Sequence, residues 1–356
     1  MRSSIPDVKI RFLTSTPLDV RRGSGTYVGM YVLAGALENL GHTVKFESPR
    51  HSLPIYTLQR LIFNRSLRRS AEFDLTVGFD MDGYLIAANS PGHVASLKGV
   101  IADEVRFETG MTRLTMSLQA RREMLHVQRA AKVLVTSRYS AERAVEYYQL
   151  ARVPDVVPEL IDLAQWRKIL GPLEAQSGHS RFVVLFVGRF YLRKRVDVLL
   201  RAAAILRHTI PRLDVRIVGN GPCGPGLHRL ARDLNLGDIV HWLGDVSRAQ
   251  LAHEYTHCDV FCLPSVQEGF GIVLLEAMAA GKPIVAARAA AIPEVVPHGV
   301  LVDPGSAEAL AAGLESVYRL SDRGAHLRTK GFEWVEQFDA PLIARQFLAA
   351  ASPQAN

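Results

Sequence analysis

The sequence is poor in cysteine and has no long apolar run. Only three of its 356 residues are cysteine, and Cys223, Cys258 and Cys262 form no CxxC pair. An odd number of cysteines without such a pair argues against a disulfide framework or a zinc site and favours buried thiols. No stretch reaches about 18 apolar residues without a charge, and the first residues, MRSSIPDVKIRF, lack the apolar core of a signal peptide. We therefore expect a cytoplasmic protein.

Several catalytic motifs are also missing. The 12 histidines include no HExxH, and no GxSxG occurs, which argues against zinc protease and serine hydrolase chemistry. A GxG is present at Gly23-Ser24-Gly25, but the third glycine of a dinucleotide fingerprint is replaced by Val28. Gly23 and Gly25 are therefore interpreted either as a tight turn or as a loop that contacts phosphate or sugar.

The charge is biased toward basic residues. Lysine and arginine number 42 against 35 acidic residues, a net charge of +7 that suits a phosphate-rich ligand, an anionic membrane face or nucleic acid. The stretch 50–69 contains two aromatic residues and no acid, and its arginines are Arg50, Arg60, Arg65, Arg68 and Arg69. Its apolar residues do not share one helical face, so a solvated helix or acceptor-side loop is favoured over a peripheral contact with the inner membrane face. Without a recognised motif, nucleic acid is the least favoured partner.

In the first half of the chain, apolar segments alternate with helical patterns. The predicted strands are Val8–Leu13, Thr43–Glu47, Asp74–Gly78, Gly99–Ala102 and Lys132–Thr136, and the predicted helices are Val28–Asn39, Met111–Arg129 and Ser140–Tyr148. This alternation is typical of a parallel sheet covered by helices on both faces.

The alternation restarts after a polar stretch at 171–180. Strands are predicted at Phe182–Val187, Leu213–Val218, Ile239–Leu243, Val260–Leu263, Pro283–Ala286 and Val300–Val302, with helices between them. The fold class is therefore α/β, with two doubly wound, Rossmann-like domains facing an interdomain cleft. We expect an amino-terminal Rossmann-like domain over 1–165 and a carboxy-terminal Rossmann-like domain over 166–340. Residues 341–356 are expected to form a helix or tail that packs back on the first domain.

Basic residues follow the first strand of the second domain. Gly188-Arg189-Phe190 comes directly after it, and Lys194 and Arg195 precede a helix. Arginine can grip phosphate oxygens with two hydrogen bonds, lysine adds a compact charge, and a helix amino terminus offers free N–H groups. A diphosphate site is the functional interpretation, and a solvated basic turn is the alternative.

The segment Glu268-Gly269-Phe270-Gly271-Ile272 leads into a helix that carries Glu276. Carboxylates accept hydrogen bonds from the vicinal hydroxyls of a ribose or hexose. Gly269 and Gly271 allow backbone N–H groups to approach a ligand, and the helix start favours negative charge there. We expect Glu268 at the mouth of the site and Glu276 two helical turns deeper.

A short acidic motif, Asp80-Met81-Asp82, has the DxD pattern of some metal-binding sites. About one DxD is expected by chance in a chain of this length and ordinary composition. We therefore predict no metal site and no cofactor.

Segments of the second half resemble the donor-binding domain of retaining GT-B glycosyltransferases of family four. They include FVVLFVGRFYLRKRVDVLLRAAAIL, LDVRIVGNGP, IVHWLGDV, CDVFCLPSVQEGFGIVLLEAMAAGKPIVAA and IPEVV, in family order. The resemblance of the first half is looser and rests on the 23–25 turn, LGHTV, TSRYSAERAVEYY and VPELID.

The resemblance implies that the domain over 1–165 binds the acceptor and that the domain over 166–340 binds the nucleotide-sugar donor. It also implies roles for individual residues. Arg189 and Lys194 would hold the donor diphosphate and, with Glu268, form the catalytic set, while Glu276 would hold the ribose. Val246 would lie near the nucleobase. The residues implied to contact the transferred sugar are Glu268, Gly269, Phe270, Gly271 and Ile272.

The implied reaction transfers a hexose or N-acetylhexosamine with retained configuration and without a required metal. The donor would be a UDP-, GDP- or ADP-sugar, and the acceptor a hydroxyl of a glycan, lipid or small molecule. Two alternatives are a catalytically weak nucleotide-sugar-binding partner subunit and a nucleotide-sugar epimerase. The sequence departs from the family at Ala102, where members often have histidine, and at Pro158-Glu159-Leu160, where they have Pro-Asn-Gly.

Overall fold

A computed structural model of the chain describes residues 7–16, 25–50, 53–88, 90, 92–171, 181–319 and 321–352. The chain divides into two compact units. The first comprises Met1–Leu160 with Phe338–Asn356, and the second comprises Ile161–Gln337. The first division therefore lies five residues before the boundary expected from the sequence.

The first unit contains a six-stranded parallel sheet of order β2-β1-β3-β4-β5-β6. Its strands are Lys9–Leu13 (β1), Thr43–Glu47 (β2), Leu75–Phe79 (β3), His93–Leu97 (β4), Lys132–Val135 (β5) and Asp155–Val156 (β6). Its first helices are Gly25–Asn39 (α1), Tyr56–Ser66 (α2), Ile101–Glu104 (α3), Gly110–Arg129 (α4) and Arg138–Tyr148 (α5).

The strand predicted at Gly99–Ala102 is wrong. The strand of this region is β4, which is fully buried and pairs with both β3 and β5. Gly99 follows β4, and Ala102 lies in α3, where its N–H donates to the Tyr148 hydroxyl at 3.2 Å. The earlier apolar run forms the strand because its backbone groups pair with those of both β3 and β5.

The second unit contains a parallel sheet of order β12-β11-β10-β7-β8-β9. Its strands are Phe182–Val187 (β7), Leu213–Val218 (β8), Val240–Gly244 (β9), Val260–Leu263 (β10), Ile284–Ala287 (β11) and Val300–Val302 (β12). Its helices are Leu163–Leu170 (α6), Val196–Leu206 (α7), Gly224–Asp233 (α8), Arg248–His257 (α9), Ile272–Ala279 (α10), Ile292–Val295 (α11), Ala307–Arg319 (α12) and Ser321–Trp334 (α13). The expectation of two doubly wound α/β units is thus confirmed.

The chain ends in a helix that belongs to the first unit. This helix, Ala340–Ala351 (α14), begins at Asp339, whose carboxylate caps it. Ile343, Ala344 and Phe347 lie in the same buried cluster as Phe12 of β1, and the Phe12 and Phe347 rings meet edge to face at 6.3 Å. Burial of this apolar face attaches the last helix to the first sheet.

Helix α2 is inverted relative to an ordinary amphipathic helix. Its buried residues are Thr57, Gln59, Arg60, Phe63 and Asn64, of which only Phe63 is apolar. Ile55, Leu58 and Ile62, spaced as one helical face, are 59%, 46% and 48% exposed. The expectation of a solvated helix is therefore incomplete, because its central arginine faces inward while its aliphatic side chains face solvent.

Candidate donor-binding site

The loops at the carboxyl end of the second sheet are packed tightly against one another. The Gly188 N–H donates to Val218 O at 3.0 Å, and the Phe190 N–H donates to Asn220 O at 2.9 Å. Gly219 has φ +121°, and a Cβ there would lie 2.1 Å from Gly188 O. Only glycine fits this position, so the backbone after β7 and the backbone after β8 touch. In an open α/β sheet, ligands bind at this end of the strands.

Two residues predicted for the site form an ion pair. Lys194 Nζ lies 2.6 Å from Glu268 Oε1, and both side chains are largely buried, at 16% and 8% exposure. Lys194 ends the short 3₁₀ turn Leu192–Lys194, and Arg193 O in that turn accepts from the Val266 N–H at 2.9 Å. The structure thus joins residues 74 positions apart. Glu268 is therefore largely buried and paired with a lysine, and its predicted place at the mouth of the site stays a prediction.

A second cation lies beside this pair in sequence. Arg189 follows β7 directly and is partly buried. Among the residues that the structure describes, none forms a hydrogen bond or ion pair with its guanidinium group. A partly buried arginine without a protein anion is suited to bind an anionic ligand with two hydrogen bonds.

Glu276 lies on α10, and two aromatic side chains donate hydrogen bonds to it. Its Oε2 accepts a hydrogen bond from the Tyr255 hydroxyl at 3.0 Å, and its backbone O accepts from Trp166 Nε1 at 3.2 Å. Burial raises the pKa of Glu276 to about 7. Above that pH, Oε1 of the ionised carboxylate remains able to accept from a hydroxyl pair.

Tyr255 was not predicted from the sequence. It lies in α9, its ring is fully buried, and it packs edge to face on Trp166 at 5.8 Å. A tyrosine on the buried face of a helix needs a hydrogen-bond partner for its hydroxyl. This requirement is the sequence signal that could have pointed to Tyr255. Ser265 Oγ and Gln267 Oε1, in the loop after β10, were also missed, and both are buried without a hydrogen-bond partner among the described residues.

The glycine-rich segment 269–272 can contact a ligand mainly through its backbone. Gly271 has φ +93° and caps α10, and Ile272 is the first residue of that helix. The Phe270 side chain is 4% exposed, so of this predicted contact only the backbone can face a ligand. Val246, the predicted neighbour of the base, is partly buried two residues after β9.

Of the predicted glycine turn at 23–25, the structure describes only Gly25. Gly25 begins α1, while Gly23 lies outside the described residues. Over the described ranges, no group of three histidine, cysteine, aspartate or glutamate side chains is arranged to hold a metal ion. Over the same ranges, no helix is both long and apolar enough to cross a membrane.

Comparison with known proteins identifies the kind of domain that carries this site. Residues 174–334 match the family profile described as glycosyl transferases group 1. The D-inositol 3-phosphate glycosyltransferase 2 of Catenulispora acidiphila is 43% identical over 159 residues, which cover 40% of this chain and 37% of that protein. The GDP-mannose-dependent alpha-(1-6)-phosphatidylinositol monomannoside mannosyltransferase of Mycobacterium tuberculosis is 26% identical over 327 residues, covering 87% of this chain and 84% of that protein.

The match to the inositol phosphate enzymes is partial. In five of them, the aligned region covers between 37% and 57% of the relative's length.

Among solved structures, HepE of Anabaena, determined with UDP and glucose, superposes with a TM-score of 0.74 at 21% identity, covering 96% of this chain and 98% of HepE. The two-domain fold is that of GT-B proteins.

Proposed function

We propose that the chain, whose residues 174–334 match the profile of the glycosyl transferases group 1, is a retaining glycosyltransferase. It transfers a hexose or N-acetylhexosamine from a nucleotide-diphosphate sugar to a hydroxyl of a glycan, lipid-linked or small-molecule acceptor. The observation that carries the proposal is the ion pair of Lys194 with Glu268, close in sequence to Arg189, which has no anionic partner among the described residues. Cations at this position suit the charge that a leaving nucleoside diphosphate develops.

The proposed roles follow from these positions. Arg189 binds the diphosphate oxygens, and Lys194 stabilises their added negative charge as the glycosidic bond breaks. Glu268 keeps Lys194 in place and accepts a hydrogen bond from a hydroxyl of the transferred sugar. Glu276, fixed by Tyr255, accepts from the ribose hydroxyls. Because arginine and lysine supply the positive charge, we propose that no metal ion is required.

The acceptor is proposed to be a polyol. The names of two relatives identify inositol derivatives as substrates, one D-inositol 3-phosphate and the other phosphatidylinositol monomannoside. Both compounds present ring hydroxyls beside a phosphate. D-inositol 3-phosphate is therefore a suitable probe for this chain.

A screen of nucleotide sugars tests the proposed function. We expect UDP, GDP or ADP, with its sugar conjugate, to raise the melting temperature of the chain, because a ligand that binds only the folded state stabilises it. The screen is run with magnesium and with a chelator, and equal shifts are expected. No shift with any nucleotide would contradict the proposal. A shift without sugar transfer to any acceptor would favour a nucleotide-sugar-binding partner subunit, and conversion of the donor to its epimer would favour an epimerase.

A peripheral membrane contact is proposed for the exposed face of α2. Its aliphatic residues Ile55, Leu58 and Ile62 are followed by the exposed arginines Arg65 and Arg68. The polar inner face is fixed to the neighbouring helix, since Gln119 of α4 accepts from Arg60 and donates to Thr57, at 2.9 and 2.7 Å. Near the start of α4, Met111 and Leu114 are also exposed, at 71% and 65%. Apolar residues next to arginines suit the surface of an anionic bilayer.

Vesicle sedimentation tests this contact. The wild type should bind vesicles of phosphatidylcholine with phosphatidylglycerol more strongly than phosphatidylcholine alone, and added salt should weaken the binding. Replacement of Leu58 and Ile62 together by glutamate should lower the binding by at least about tenfold, because two aliphatic side chains no longer enter the bilayer. Val153→Glu, which changes another exposed aliphatic residue of the same unit, is the control. Equal binding of both variants would contradict the assignment.

A further inference from the structure

The two aspartates of the DxD motif have different environments. Asp82 is fully buried, and its carboxylate accepts from the Ser15 N–H and hydroxyl, at 2.7 and 2.6 Å, and from Asn64 Nδ2 at 2.8 Å. Arg60 Nη2 lies 3.4 Å from the same carboxylate. Asp82 therefore ties the end of β1 to α2, and both of its oxygens are already engaged within the protein.

Asp80 is only partly satisfied. Its Oδ1 accepts from the Lys98 N–H at 3.0 Å. Its Oδ2 makes no hydrogen bond with any described residue and lies 3.9 Å from Arg60 Nη2. The side chain keeps 16% of its surface exposed, so a small ligand can reach the carboxylate. Asp80 follows the last residue of β3 directly, and the carboxyl ends of parallel strands are where such sheets bind ligands.

The backbone at Asp80 is held in an unfavourable conformation. Its φ of +53° lies in the left-handed region, which costs an ordinary residue of order 1 kcal/mol and persists only where surrounding contacts enforce it. His126 Nδ1 enforces it by donating to Asp80 O at 2.5 Å, so His126 Nε2 accepts from His93 Nε2 at 2.8 Å. Burial lowers the pKa of His126 to about 4 and of His93 to about 3, so both rings are neutral at pH 7.

We propose that Asp80 binds a hydroxyl of the acceptor, with Oδ2 accepting the hydrogen bond. This inference rests on the proposed glycosyltransferase function and names a residue of its acceptor site. A carboxylate with one available oxygen, beside a guanidinium that keeps it ionised, recognises polyols through their hydroxyl protons. The left-handed φ of Asp80 sets the direction in which its carboxylate leaves the backbone. The buried pair of His93 and His126 supports this turn from the protein interior.

Two substitutions separate binding from turn geometry. Asp80→Asn keeps the size of the side chain and tolerates positive φ, but it replaces the carboxylate. Asp80→Gly removes the side chain while allowing the left-handed φ without steric cost, so the variant should fold, which its melting temperature checks. Glu72→Gln, at an exposed acid of the same unit, is the control.

The experiment is calorimetric titration of the full chain with D-inositol 3-phosphate and, separately, with the nucleotide that the thermal screen selects. We expect the dissociation constant for D-inositol 3-phosphate to rise at least tenfold in both Asp80 variants, with nucleotide affinity and the control unchanged. Affinities within twofold of the wild type in both variants would overturn the proposal. Failure of the wild type to bind D-inositol 3-phosphate while it binds nucleotide would also overturn it. Failure of the wild type to bind any nucleotide would instead refute the proposed function.

The pH dependence gives a second readout. Burial raises the pKa of Asp80 to about 6, so acceptor affinity in the wild type should decline as pH falls through 6, where the carboxylate takes up a proton. In Asp80→Asn the phosphate of the probe still titrates at about pH 6, so the decline should be smaller than in the wild type, and a decline of equal size in both would overturn the proposal. The charged and titratable groups that face Asp80 are Arg60, Asp82, Glu104, Glu123 and His126.

Discussion

Lys194→Ala should lower kcat/KM for sugar transfer by roughly 10² to 10³, the cost of removing one group that stabilises charge in a transition state. The structure makes the loss larger than that of a surface lysine, because Glu268 would be left largely buried without its partner at 2.6 Å. The measurement is steady-state kinetics with the donor selected by the thermal screen, together with nucleotide titration. Lys168→Ala, at an exposed lysine of the same unit, is the control.

Double substitution tests whether the pair acts as one unit. Glu268→Ala should reduce transfer more than nucleotide affinity, because its proposed contact is with the transferred sugar. Lys194→Ala with Glu268→Ala should cost less than the sum of the single losses, since each single change already breaks the ion pair. Additive losses would mean that the two residues act independently. Unchanged nucleotide affinity in Lys194→Ala would remove it from the diphosphate site.

Gly219→Ala should destabilise the second unit by more than about 3 kcal/mol, because a Cβ at φ +121° would meet Gly188 O at 2.1 Å. The loops after β7 and β8 would have to separate, so Arg189 and Lys194 would lose their positions and nucleotide affinity should fall as well. Denaturant unfolding gives the free energy, and nucleotide titration gives the binding loss.

Gly226→Ala is the matched control for this glycine. Gly226 lies in α8, and a methyl group added there would meet no atom within 4 Å beyond the backbone of its own helix. Alanine there should stabilise the unit by up to about 1 kcal/mol, because glycine is a poor helix residue. If both alanine variants unfold at the same denaturant concentration, the close approach of Gly219 to Gly188 has no energetic consequence.

The residues proposed for the donor site could be selected from local sequence, because each lies next to a strand or helix that the sequence pattern predicts. Strands β7, β8, β10 and β12 have the bounds predicted from the sequence. Of these, β7 and β10 are apolar and buried throughout, because strands buried on both faces tolerate few polar residues. Arg189 and Lys194 follow one such strand, and Glu268 follows another, so parallel topology alone places them at one edge. Their direct pairing was not predictable, because it depends on how two loops 74 residues apart pack.

The first unit was harder to predict for a physical reason. Arg60 appeared to be one charge in a basic stretch, yet it is 4% exposed because Asp82, Ser15 and Gln119 all satisfy it. Those partners lie on three other segments, so no helical periodicity reveals the burial. The misplaced strand at Gly99–Ala102 has the same origin, since neighbouring strands decided which apolar run joined the sheet.

By itself the sequence determined the two α/β units, the positions of the strands in the second sheet and the residue types proposed for the donor site. Apolar runs, glycines at turns and charges after strands act over a few residues and can be read locally. Only the tertiary structure decided that Lys194 pairs with Glu268, that Tyr255 holds Glu276, that α2 turns its aliphatic face outward and that one carboxylate oxygen of Asp80 stays available. These contacts join segments distant in the chain, and their free energy comes from burial and hydrogen bonding that exist only after folding.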